Sequence, residues 1–157
     1  MEKMKMGKQL SFVNREYSSK EEALKVVCSA AEEMGYVTGD FVKDLIKREE
    51  EFPTGLATKV PLAMPHVGSN CNVSFMSLTT LKKPIAFRYM DGTEGTVLVE
   101  LIFVFGIVNP KDQVMVLRKL SEIFQNKEAL EEIRSAKNDN DGCEIIRNML
   151  GDLIEIV

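Results

Sequence analysis

The run "TVLVELIFVFGIV", residues 96–108, constrains this chain more than any other stretch. Its second half, around residues 101 to 108, is apolar at every position, so no face can be left in water. The run is too short to cross a bilayer, and Glu100 interrupts it. Its β-branched and aromatic residues read as a strand. A strand apolar on both faces needs a layer on each side, as in α/β proteins. Amphipathic helical patterns flank the strand-like centre of the chain on both sides. The expected fold class is therefore α/β: a three-layer α/β/α sandwich with a mixed central β-sheet flanked by helices.

The flanking helices carry local start and stop signals. Ser19, with Glu22 three residues later, makes a capping box. The helix it opens places Ala23, Val26, Val27, Ala30 and Met34 on one face and stops at Gly35. A second helix in "GDFVKDLIKREEEF" shows a stripe of Phe41, Val42, Leu45 and Ile46, and Pro53 and Gly55 end it. Asn109 caps a third helix with Pro110 at its first position, burying Val114, Leu117, Leu120 and Phe124. Asn126 caps a fourth, and the polar loop "NDNDG" leads to a fifth with Ile145, Ile146, Met149 and Leu150. Ahead of them "LSFVN" reads as a first strand or an arm, and between the second and third helices the alternation of Val60, Leu62 and Met64, "NVSFMSLTTL" and "KPIAFR" read as separate strands.

A length of 157 residues fits one domain over 1–157, with residues 1–9 as a frayed N-terminal tail. The net charge of −4 and scattered basic residues argue against nucleic-acid binding. With no apolar run of signal-peptide or membrane-spanning length, the expected localisation is cytoplasmic, without membrane insertion. Cys28, Cys71 and Cys143 are far apart and make no CxxC pair, which suggests free thiols and no metal site.

One residue stands out. His66 is the single histidine, and it follows Pro65 after the alternating stretch. Proline has no N–H for a ladder, so Pro65 marks a strand end and His66 projects from it. A neutral imidazole is a good nucleophile near pH 7.

The residues around it, "KREEEFPTGLATKVPLAMPH", resemble the active-site region of the enzyme IIA components of the bacterial sugar phosphotransferase system, in the fructose–mannitol superfamily. The matching pieces are Arg48-Glu49, Thr54-Gly55-Leu56 and Ala63-Met64-Pro65-His66. "REEEFPTGL" and "FGIVNPKDQVMVLRKL" are most similar to the galactitol-type branch, and the likeness runs from about residue 10 to 150. The resemblance implies a phosphotransferase without a cofactor. His66 would accept a phosphoryl group on Nε2 from the phosphocarrier protein HPr and pass it to a cysteine of enzyme IIB. Enzyme IIB then phosphorylates galactitol or a related sugar as the membrane enzyme IIC imports it.

Such chemistry needs a cation, and Arg48 offers a planar fork for two phosphate oxygens. Thr54 can give its hydroxyl to the phosphate or cap the turn at Pro53-Thr54-Gly55. Glu49 can orient Arg48 or be one more surface charge. Many mannitol- and fructose-type relatives carry a second histidine at the start of the helix after the long strand; Gln113 stands there in this chain. Two other readings remain at this point. One is a nitrogen-type regulatory module whose phosphorylation controls partner binding. The other is a thiol enzyme pairing Cys71 with His66.

Overall fold

Leu101 through Ile107 are all buried, as an all-apolar run requires. Their side chains alternate between two cores. Val97, Val99, Ile102 and Val104 pack with Ala23, Leu24, Val27, Phe41 and Leu45. Leu101, Phe103 and Phe105 pack on the other side with Val116, Leu120, Leu130, Ile133 and Ile146. Each large side chain so buried contributes about 1.5–3 kcal/mol.

The computed structural model describes residues 2–157. In chain order the elements are β1 (Met4–Met6), β2 (Ser11–Arg15), α1 (Lys20–Glu33), α2 (Phe41–Glu51), β3 (Leu62–Ala63), β4 (His66–Val67) and β5 (Phe75–Met76). Then come β6 (Leu78–Arg88), β7 (Thr96–Ile102), β8 (Phe105–Gly106), α3 (Pro110–Phe124), α4 (Lys127–Arg134), α5 (Asp139–Leu150) and β9 (Ile154–Ile156). Helices α1 and α2 cover one face, and α3, α4 and α5 cover the other. The expected α/β sandwich is what the chain forms.

The strands divide between two sheets, ordered β4-β8-β5-β1-β9 and β2-β6-β7-β3. The β5–β8 and β6–β7 ladders are antiparallel and the others parallel. The single mixed sheet of the sequence reading is therefore split. Pro65 is one reason. Without an N–H it breaks the ladder along residues 103–105, so β3 and β4 fall in different sheets. His66 opens β4, opposite Phe105, instead of projecting beyond a strand end. The long apolar strand is likewise divided into β7 and β8.

Other expectations change for identifiable reasons. The presumed tail is ordered in part: β1 lies between β5 and β9, and Met4 and Met6 are fully buried. "LTTL" and "KPIAFR" are one strand, β6, because a register shift between Thr80 and Ile85 accommodates Lys82, Lys83 and Pro84, which are exposed. "NDNDG" is not a loop but the cap and first turn of α5. Asn138 accepts from the Asp141 N–H, and Gly142 sits where a Cβ would lie 2.7 Å from Ser11 Oγ. In α3 the buried stripe is Val116, Leu120 and Phe124, and Val114 is exposed.

The caps of α1, α3 and α4 form as expected at Ser19, Asn109 and Asn126, each worth about 1 kcal/mol. The Glu22 side chain reaches back to Ser18, one residue beyond the expected box. The core face of α1 is Ala23, Leu24, Val27, Cys28 and Ala31, with Val26, Ala30 and Met34 only partly buried.

Candidate functional site

Helix α2 buries a single line of residues: Phe41, Leu45 and Glu49, at helical spacing. The third member is a carboxylate, 3% exposed. A buried carboxylate needs donors, and both come from Thr54. Its N–H donates to Glu49 Oε2 at 2.8 Å and its hydroxyl to Oε1 at 2.7 Å. Burial pushes the Glu49 carboxyl above its usual range, against the two Thr54 bonds. Glu49 therefore holds Thr54; it is neither a surface charge nor an orienter of Arg48.

Thr54 in turn holds the backbone before His66. Its Oγ1 accepts from the Met64 N–H at 3.0 Å. The hydroxyl has one proton, already given to Glu49, so Thr54 has none for a phosphate. Of the two tasks expected of Thr54, this geometry favours holding the turn. Gly55 explains the turn: its N–H donates to the Arg88 carbonyl at 3.0 Å, and a Cβ there would lie 2.6 Å from that oxygen.

The Met64 carbonyl lies 2.8 Å from His66 Nδ1. A carbonyl only accepts, so in this contact Nδ1 carries the proton and Nε2 the lone pair. The imidazole stacks on Phe105, planes 2° apart and centroids 4.6 Å apart. Burial holds the His66 pKa below its ordinary value, the Met64 carbonyl opposes that, and the Arg48 charge adds to it. The loop after β4 is tied to α2 by Asp44, which accepts from Ser69 Oγ at 2.8 Å and from Asn70 Nδ2 at 2.5 Å.

His66 and Arg48 line one cleft of about 770 Å³. Phe52, Pro53 and Thr54 form part of one wall, and residues 89–95 of the β6–β7 turn form another. Arg48 stacks its guanidinium over Phe52 at 4.3 Å and makes no ion pair among the described residues. Arg88, missed in the sequence, also lines the cleft and donates to the Glu50 carbonyl. Nothing in its local sequence separates it from the other exposed residues of β6. Gln113, half-buried in the first turn of α3, is not among the lining residues.

Cys71 does not line the cleft either. Burial pushes its thiol up to about 11, and the thiol donates to the Val73 carbonyl. That disfavours the thiolate a thiol enzyme needs. Among the described residues no group of three or more His, Cys, Asp or Glu is placed to hold a metal. Among the described residues no helix is long and apolar enough to cross a membrane.

Residues 4–149 match the family described as "Phosphoenolpyruvate-dependent sugar phosphotransferase system, EIIA 2". The chain belongs to this enzyme IIA family. As an enzyme IIA component it is a phosphotransferase. The mannitol-specific enzyme IIA component of Bacillus subtilis is 28% identical over 132 residues, which are 82% of this chain and 87% of the relative. The fold is that of solved enzyme IIA structures. One is the Escherichia coli complex of mannitol enzyme IIA with phosphorylated mannitol enzyme IIB. It superposes with a TM-score of 0.73 at 19% identity, covering 94% of this chain and 97% of that one. Another is the nitrogen regulatory protein IIA-Ntr of Neisseria meningitidis, with a TM-score of 0.73 at 21% identity, covering 94% and 96%.

Proposed function

We propose that His66 is the phosphoryl acceptor of this enzyme IIA component. The observation that carries the reading is the Nδ1 contact to the Met64 carbonyl, which leaves Nε2 of a cleft-lining imidazole as the nucleophile. The Nε2 lone pair attacks the phosphorus of phospho-HPr. The bond from phosphorus to the donor breaks, and its electron pair leaves on the donor. His66 becomes a tele-phosphohistidine, and the Met64 carbonyl supports the charge then shared with Nδ1–H. Arg48, without a carboxylate partner among the described residues, supplies the cation that the incoming phosphate needs.

In the second step a cysteine thiolate of enzyme IIB attacks the same phosphorus. The N–P bond breaks and returns its pair to Nε2. Enzyme IIC, in the membrane, takes part only through enzyme IIB. The sugar read from "REEEFPTGL", and from Gln113 where mannitol types carry histidine, is galactitol or a related polyol. The mannitol-specific relative supports sugar uptake as the broader role.

The test is phosphoryl transfer from phosphoenolpyruvate through enzyme I and HPr, with wild type and His66→Ala side by side. Intact mass and acid lability read the adduct. An acid-labile phosphate on wild type alone, discharged by a galactitol-type enzyme IIB, supports the proposal. A phosphate that no enzyme IIB discharges favours a nitrogen-type regulatory role. No phosphate on folded wild type, with an HPr active on other carriers, rules the reading out.

A further inference from the structure

The outer edge of β3 and β4 poses a question of its own. Ala63 and Pro65 turn their carbonyls inward, where Phe103 and Phe105 N–H groups reach them at 2.9 and 3.2 Å. The backbone groups of Met64 therefore face outward, on an edge where no strand can satisfy them. One is taken by Thr54 and the other by His66.

Why a carboxylate should be buried behind this arrangement follows from proton counting. Thr54 Oγ1 can accept the Met64 N–H only if its own proton points elsewhere. An ionised Glu49 is an acceptor only, so it fixes that direction. It also takes the Thr54 N–H, locking the turn that carries the hydroxyl. Yet Glu49 makes no ion pair among the described residues, and burial of an unpaired carboxylate is costly. Packing α2 would be better served by an apolar residue at this place. A free histidine side chain favours the proton on Nε2, the tautomer in which that nitrogen has no lone pair to offer. Some part of the fold must hold the other one.

We propose that Glu49 is a positioning residue, acting through Thr54 and the backbone of Met64 to hold His66 as the Nδ1–H tautomer. The proposal rests on the reading of His66 as phosphoryl acceptor, but its first test does not. In uniformly ¹⁵N-labelled, unphosphorylated protein, two-bond correlations in the ring show which nitrogen bears the proton. His66 is the only histidine, so the signals are unambiguous.

Wild type is expected to show Nδ1 protonated and Nε2 bare. Thr54→Val, which removes the hydroxyl at nearly constant volume, is expected to admit the Nε2–H form. Thr54→Ser restores the wild-type tautomer. Glu49→Gln sets an amide donor against the Thr54 N–H or hydroxyl, and is expected to mix the tautomers even if Thr54→Val does not fold. In the phosphorylation assay the two disruptive variants should be slower by about tenfold to a hundredfold. A folded Thr54→Val or Glu49→Gln protein with the wild-type tautomer overturns the proposal, whatever its rate. Should wild type accept no phosphate, the tautomer experiment still decides on positioning while the functional reading falls.

Discussion

The imidazole of His66 lies flat against the ring of Phe105, its partner across the β4–β8 ladder. The stack shields one ring face and fixes the plane in which Nε2 presents its lone pair. Phe105→Leu keeps most of the buried volume and loses the stack. We expect it to cost about 1–2 kcal/mol of stability and to slow phosphorylation of His66. Urea denaturation beside the transfer assay checks both; an unaffected transfer rate would assign Phe105 to packing alone.

The charge of Arg48 has a signature in the pH dependence. Burial, and then Arg48, hold His66 below its ordinary pKa. The neutral, nucleophilic ring thus persists to lower pH than in a free histidine. Arg48→Gln removes one depressing cause, so the pKa rises. The acid limb of the phosphorylation profile should move to higher pH, with the rate at neutral pH down about a hundredfold. The linked stability has the sign of a depressed pKa: it is present above 6.5 and lost as pH falls through the folded-state value. Titration of the single imidazole proton signal reads the shift; no upward movement would mean that Arg48 is electrostatically remote from the ring.

Removal of residues 1–7 tests whether the opening segment is structural. It withdraws β1 from between β5 and β9 and takes away two fully buried methionines. We expect a loss of about 3–6 kcal/mol from Met4 and Met6. A denaturation midpoint equal to that of the full chain would return this segment to the status of a tail.

Cys71 should be inert. Its thiol is pushed up to about 11, so little thiolate exists at neutral pH. Iodoacetamide at pH 7.5 is expected to label it slowly without denaturant. Cys71→Ala should be phosphorylated at the wild-type rate. Loss of phosphorylation in a folded Cys71→Ala protein would revive a thiol role.

What could be read from the sequence was local. Ser19, Asn109 and Asn126 cap their helices through neighbours within three residues, and such contacts are written in the sequence itself. The two-faced burial of Leu101 to Ile107 follows from composition alone. Arg48 and His66 reach one cleft, in line with the motif spacing. The split into two sheets was not legible, because a missing N–H at Pro65 matters only once β8 lies beside it. Nor was the part played by Glu49: in "REEE" three carboxylates look alike, and only the helical phase of α2 turns one inward. Thr54 was placed in the site with two tasks left open, since its proton count decides between them only when both partners are known.

The edge that holds His66 has another consequence. The outward groups of Leu62 are matched by Leu56, and those of Met64 by Thr54 and His66. The backbone row running up to the imidazole thus offers a passing strand no unmatched donor or acceptor at these residues. Rows left bare in this way template intermolecular β-pairing and aggregation. A carrier proposed to meet one partner after another can bring this surface into contact repeatedly and come away as a separate molecule.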